Sequence, residues 1–142
     1  MVYVDTSAVV ALIVNEPASA AVAAWYAGSK RELVTASWCA TEFASALSLK
    51  QRKAQLEAAG ATLAWGRFRR LTANDLQLLP LGFEDFHRAA LMALDASTGI
   101  RAGDALHLAC AERAGAKSIL TLDGVMARNA QELGIKPVAL PP

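Results

Sequence analysis

Only two cysteines occur in the 142 residues, Cys39 and Cys110, and no C-x-x-C pair or Cys/His spacing joins them to each other or to the two histidines. That pattern argues against a zinc module or a dithiol redox centre and predicts two buried free thiols, each inside an apolar helical stretch. No apolar run reaches the length needed to cross a bilayer. The first residues carry neither the basic region nor the cleavage site of a secretory signal. A cytoplasmic protein without membrane association is the expectation. Charge is also sparse: 19% of residues are charged and the net charge is +1, which alone argues neither for nor against a nucleic-acid partner. Repeats, linkers and low-complexity segments are missing, so residues 1–142 are expected to form a single domain. What the chain has in excess is apolar residues, 54% of the total. That is enough for a substantial core without disulfides or metals, and some of this apolar surface is expected to meet a partner.

Short β-rich runs alternate with longer helical patterns, the signature of an α/β fold with a parallel sheet covered by helices on both faces. Strands are predicted at Val2 to Val4, Leu33 to Ala36, Leu76 to Leu81, Ser118 to Leu122 and Pro137 to Leu140. Helices are predicted at Ser7 to Val14, Ala18 to Ala27 with Pro17 in the first turn, Trp38 to Lys53 with Ser37 as N-cap, and Gln55 to Leu71. Three more follow at Phe83 to Ala96, Gly103 to Ala114 and Gly124 to Leu133. In the fourth helix Ala61, Trp65, Phe68 and Leu71 recur at three- and four-residue spacing, giving one apolar face.

Most acids have a solvent explanation: Glu57, Glu84, Asp85, Glu112 and Glu132 fall on polar helix faces or near helix starts. Four do not. Asp5 ends the first strand, Glu42 is about one turn into the third helix, Asp104 opens an apolar helix, and Asp123 follows the fourth strand. In an open parallel sheet, functional groups gather beyond the carboxyl ends of the strands, so all four can face one crevice. Such a cluster repels itself unless cations neutralise it. An all-oxygen set without His or Cys at ligand spacing suits Mg²⁺ or Mn²⁺, and phosphodiester hydrolysis is the chemistry that fits. Setting these four aside leaves nine acids against 14 bases, a surplus of five positive charges suited to a phosphate backbone. Lys50, Arg52 and Lys53 form one basic group, and Arg67, Arg69 and Arg70 another.

Each acid also has a structural alternative. Asp5 suits a helix cap, although Thr6 and Ser7 are caps too; Glu42 suits a solvated helix face, Asp104 a helix-start charge, and Asp123 a turn. His107, one turn after Asp104, is expected to be a satisfied core histidine, or else to orient Asp104 or touch substrate. His87 is expected at the surface. Trp65 and Phe68 are expected to form a packing or partner face, or to stack on bases.

Four stretches, VYVDTSAVVAL, SWCATEFASAL, TGIRAGDALHLACA and SILTLDGVMARNAQELGI, span nearly the whole chain, and together they resemble the PIN-domain ribonucleases, most closely the VapC-type toxins of toxin-antitoxin pairs. The resemblance implies a PIN-like three-layer fold with about five parallel strands. It also implies an acidic pocket for one or two Mg²⁺ or Mn²⁺ ions, and endonucleolytic cleavage of RNA to a 5′-phosphate and a 3′-hydroxyl. It makes Asp5, Glu42, Asp104 and Asp123 the metal-site acids, Asp123 being the position most variable in role. Thr6 and Thr121 match polar positions that support those acids or contact phosphate, and Met126 stands where the family often places Phe. The expected chemistry is in-line attack on phosphorus by a water that the metal activates. A homodimer held by a neutralising antitoxin is implied as well, and the helix pair from Trp38 to Leu71, with Trp65, Phe68 and Leu71, is the expected groove.

Three rival readings differ in particular residues. Haloacid-dehalogenase-like phosphatases need a second Asp two positions after the first, where Ser7 stands. A receiver domain needs an acidic pair at the first strand and a Lys after a late one, and neither is present. A PIN-like module that binds RNA or protein without cutting, or a housekeeping RNA-processing nuclease, keeps the same residues.

Overall fold

The strand segments are short and buried on both faces, which only a sheet covered on both sides can satisfy. In the computed structural model, which describes residues 1–142, five all-parallel strands do this: β1 (Val2–Val4), β2 (Leu33–Ala36), β3 (Leu76–Leu79), β4 (Ser118–Leu120) and β5 (Lys136–Pro137). Their spatial order is β3-β2-β1-β4-β5. The helices are α1 (Thr6–Ile13), α2 (Ser19–Gly28), α3 (Trp38–Arg52), α4 (Ala58–Asn74), α5 (Phe83–Leu94), α6 (Ala102–Arg113) and α7 (Gly124–Glu132), with a 3-10 turn at Ala96–Thr98.

Alternation of side chains along each strand divides the core in two. Tyr3, Val34, Ala36 and Ile119 face α5, α6 and α7, where Met92, Leu108 and Met126 meet them. Val2, Val4, Leu33 and Leu120 face the other way, onto Val9 of α1, Val22 of α2, Phe43 of α3 and Phe68 of α4. The result is the predicted three-layer α/β arrangement. Helix α6 is enclosed by α5, α7, α3 and the sheet and is buried from Ala105 to Ala111, which explains why its sequence is apolar nearly all round. Both cysteines are buried and free. No helix is long and apolar enough to cross a membrane.

The differences from the sequence-based boundaries have local causes. Strand β3 stops at Leu79 because Pro80 has no N–H to continue the ladder. Strand β4 stops at Leu120, after which the Thr121 hydroxyl turns to bond side chains of the neighbouring loop. Helix α4 starts three residues later than expected, at Ala58, since the chain first turns at Ala54 with φ of 56° and returns Gln55 N–H to Lys50 O. Pro17 lies in the turn ahead of α2 rather than in its first turn. Ser37 occupies the N-cap position of α3 in helical geometry and makes no capping bond.

Asp85 is a larger departure. It is buried, not on a polar face: its carboxylate accepts Gly82 N–H at 2.9 Å and Arg113 Nε at 2.6 Å, binding the start of α5 to the end of α6. Burial pushes its pKa up, but those two donors outweigh it and hold Asp85 below the usual carboxylate range.

Phe68 takes the packing role among those expected of it and is not part of an open groove. It is 2% exposed, with its ring stacked on Phe43 at 4.7 Å and on Trp65 at 5.2 Å, and only Trp65 of that trio reaches the surface. Leu71 lines an interior apolar cavity with Trp25 and Tyr26. The α3–α4 pair thus spends most of its apolar face on the core. The prominent exposed apolar side chains are instead on α5, where Phe83 and Leu94 are each 80% exposed. Phe68→Ala is expected to lower unfolding free energy by about 3–5 kcal/mol in urea titrations, the range for emptying a buried aromatic site. A loss within experimental noise would return Phe68 to the surface.

Candidate active site at the carboxyl edge of the sheet

Consecutive connections carry the chain from β1 outward to β2 and β3, then back across to β4 on the other side of β1. The crossovers therefore leave β1 and β4 in opposite directions and open a crevice beyond their carboxyl ends. Asp5 follows β1 immediately, and its N–H donates to Leu120 O at 2.9 Å, so the ends of the two strands stay paired.

Asp5 is 4% exposed and is itself the N-cap of α1, in place of Thr6 or Ser7. Its Oδ2 accepts the Ser7 hydroxyl at 2.6 Å, the Thr121 hydroxyl at 2.9 Å and Ser7 N–H at 3.4 Å. The same Ser7 hydroxyl oxygen accepts Leu122 N–H at 3.0 Å, and Thr121 Oγ1 accepts Asp123 N–H at 3.1 Å. These bonds fix the Asp5 side chain and leave Oδ1 with one polar neighbour, His107 Nε2 at 3.8 Å.

Glu42 is brought in by α3. Its Oε1 accepts the Thr6 hydroxyl at 2.7 Å and bonds His107 Nε2. His107 is fully buried, and its Nδ1 lies 2.7 Å from the Tyr3 hydroxyl, which accepts Ala36 N–H at 2.9 Å. Burial pushes the Tyr3 phenol well above its ordinary pKa, so it stays a donor. When the ring is neutral and Tyr3 gives its proton to Nδ1, the ring proton sits on Nε2, toward Glu42. A continuous line of hydrogen bonds thus runs from the β2 backbone through Tyr3 and His107 to Glu42. Burial pushes Glu42 up, but His107 and Thr6 outweigh it and its pKa falls below the usual value. Burial likewise works against a charged His107, yet Glu42, Asp5 and Asp104 hold its pKa above the ordinary value.

Asp104 sits in the first turn of α6 and is half-buried. Its neighbour Gly103 lies against Glu42 and Trp38: a Cβ there would stand 3.0 Å from Glu42 Oε2 and 3.1 Å from Trp38 Nε1, so one of those side chains would have to shift to admit it. Burial first, then the charges of Asp5, Asp123 and Glu42, push Asp104 up to about 6. All four sequence-predicted acids therefore lie in one electrostatic group. Asp123 is the most exposed of them and doubles as the N-cap of α7, its Oδ1 accepting Met126 N–H at 2.9 Å. No lysine or arginine pairs with any of the four; the cationic pairs of the molecule are Lys50–Glu16, Arg88–Glu112 and Arg113–Asp85.

Thr6 and Thr121, the two supporting positions read from the sequence, each bond one of the acids. Tyr3, Ser7 and Gly103 carry weight that the sequence reading missed. For Ser7 the signal was present in Asp-Thr-Ser, where a hydroxyl two residues after a helix cap can return to it. His107 is the satisfied core histidine expected, but its partner is Glu42 rather than Asp104.

The donor set suits a hard divalent cation: oxygen ligands only, excess negative charge and no competing cationic side chain. No three acid, His or Cys side chains stand at mutual ligand positions.

A family model for the PIN domain matches residues 2–132. The chain belongs to the PIN-domain family. PIN domains are generally nucleases and typically use divalent metals. Two solved structures share this PIN fold over its full length. One is FitAcB from Neisseria gonorrhoeae, at 15% identity and a TM-score of 0.68, covering 98% of this chain and 97% of that one. The other is VapBC2 from Rickettsia felis bound to a DNA fragment from their promoter, at 13% identity and a TM-score of 0.65, covering 99% and 100%. No curated protein matches this PIN domain in sequence.

The raised pKa of Asp104 has a stability consequence. Without metal, the folded state holds a proton on Asp104 up to about pH 6, whereas the unfolded chain releases it near pH 3.9. Folded protein binds more protons in that window, so this group's contribution to stability falls as pH rises through it and stays low above it. Asp104→Asn is expected to stabilise the metal-free PIN domain at pH 8 by about 1–2 kcal/mol after solvent screening, and much less at pH 4. Urea denaturation in EDTA at the two pH values checks this, and equal increments would contradict it.

Proposed function

We propose that this PIN domain is a Mg²⁺- or Mn²⁺-dependent endoribonuclease that acts as the toxin of a toxin-antitoxin pair. The observation that carries the nuclease reading is the group of four carboxylates at the β1–β4 crevice with no lysine or arginine to neutralise it. The toxin reading is supported by the resemblance of the four sequence stretches to VapC-type toxins and by the fold shared with FitAcB and VapBC2. RNA as substrate, an antitoxin partner and a homodimer come with it.

Asp5, Glu42 and Asp104 would hold the ion, with Asp123 at the exposed side. A divalent cation there would supply charge to offset that developing on phosphoryl oxygens and would lower the pKa of water, the two needs of phosphodiester hydrolysis. The chain's own residues position these acids. Ser7 and Thr121 hold Asp5 Oδ2 and leave Oδ1 on the side of His107. Thr6 and His107 hold Glu42 Oε1, leaving Oε2 toward Gly103 and α6. Burial and the neighbouring acids push Asp104 up to about 6 in the metal-free site, and a bound cation would favour its carboxylate form instead. In-line cleavage on this site would leave a 5′-phosphate and a 3′-hydroxyl.

Asp5→Asn and Asp104→Asn are each expected to keep native circular dichroism while losing Mg²⁺-dependent RNA cleavage by about a hundredfold or more, the scale for removing a group that organises transition-state charge. Undiminished cleavage by both variants would overturn the assignment. RNA affinity without turnover in the metal-supplemented wild type would favour a non-cutting binding module.

A further inference from the structure

The opposite edge of the sheet carries the opposite charge. Register aligns the amino ends of four strands, Val2 pairing with Leu33 and Ser118, and Ser118 with Lys136. Lys30 and Arg31 come just before β2, Lys117 just before β4, and Lys136 opens β5. These four cations line one open cleft of about 920 Å³, whose wall includes Trp25 of α2 and no acidic residue. All four are exposed, and none takes part in an ion pair. Glu32, the acid next to Arg31, lines a separate cleft with Asp75 between β2 and β3.

From β2 to β5 is three strand spacings, about 14 Å. Neighbouring cations across that span lie within about a Debye length and repel one another, a cost that an anionic ligand reverses. Trp25 narrows the choice of ligand. Trp25 is half-buried, packing against the apolar core and also lining the cleft beside the cations. Phosphates on cations with a base against an indole is the way single-stranded nucleic acid is held. An acidic peptide would use the cations and leave the indole wall without a role.

We infer that this basic cleft is a second RNA-binding site, which holds a single-stranded segment of the substrate at the amino edge of the sheet, away from the acids that cut it. The inference rests on the ribonuclease reading and adds to it a site for the part of the RNA that is not cleaved. Strands β1, β2 and β4 are only three or four residues long, so the two edges are about 10–13 Å apart through the sheet, and one RNA chain bent around the side of the domain can occupy both.

Fluorescence anisotropy with a fluorescein-labelled oligouridylate in EDTA reads binding with cleavage switched off. The double variant Lys117→Glu, Lys136→Glu alters exposed residues outside the acidic pocket. It is expected to weaken the oligouridylate about tenfold or more and to flatten the slope of log K against log salt by about 1.4, the value for two lost single-strand phosphate contacts. With Mg²⁺ added, cleavage of a long RNA is expected to slow, while a short RNA that reaches only the acidic edge is cut at the wild-type rate. Unchanged affinity and unchanged salt slope, in a wild type that does cleave, would overturn this inference alone. A polyglutamate peptide that binds wild type but not the variant, with oligouridylate affinity equal in both, would also overturn it. A wild type that neither binds nor cuts RNA would instead sink the ribonuclease reading.

Discussion

One oxygen atom, Asp5 Oδ2, organises the carboxyl edge of the sheet. By accepting two hydroxyls and a backbone N–H it caps α1, ties the loop after β4 to the end of β1, and fixes the direction of its partner oxygen. The pairing of Asp5 N–H with Leu120 O keeps the two strand ends together beneath it. Because β1 and β4 flank the point where the connections reverse direction, this tie sits at the one place in the sheet where a crevice must open. Asp104 and Glu42 are then delivered by helices packed against that edge, with Gly103 lying against Glu42. The strain in the arrangement is electrostatic. It is visible in Asp104, which carries the combined influence of burial and three neighbouring acids.

Much of this was readable in the sequence because it follows from local rules. Strand-helix alternation predicts a parallel sheet, a parallel sheet places functional groups at its carboxyl edge, and four acids at predicted strand ends or first turns must then converge. Asp123 was read as a site acid or a turn residue; it caps α7 and still adds its charge to the group. What stayed hidden depends on partners distant in the chain. Tyr3 and His107 are 104 residues apart, and no periodicity links them. Asp85 read as a helix-start charge because its partner Arg113 stands 28 residues further on, at the end of another helix. For Phe68 a packing face and a partner face both stayed open, because helical spacing shows that a face is apolar without showing what covers it. Here the cover is the ring of Phe43.

The net charge of +1 is an average over a polarised molecule. Acids collect beyond the carboxyl ends of the strands, and four unpaired cations border the amino ends. Strand direction is common to all five strands, so the acids that follow β1 and β4 and the cations that precede β2 and β4 or open β5 fall at opposite ends of the sheet. Composition counts charges, while topology sorts them.

The buried line from Ala36 through Tyr3 and His107 to Glu42 constrains how this sequence can drift over generations. Removing any one member leaves a polar group without its partner inside the protein, and that costs more than the net worth of the bond itself. An apolar replacement becomes acceptable only when the neighbours on the line change with it, so single-step substitutions are blocked although a joint change would fold. Across a lineage, Tyr3 and His107 should persist or disappear together, as a linked pair of characters inherited with the acid they support.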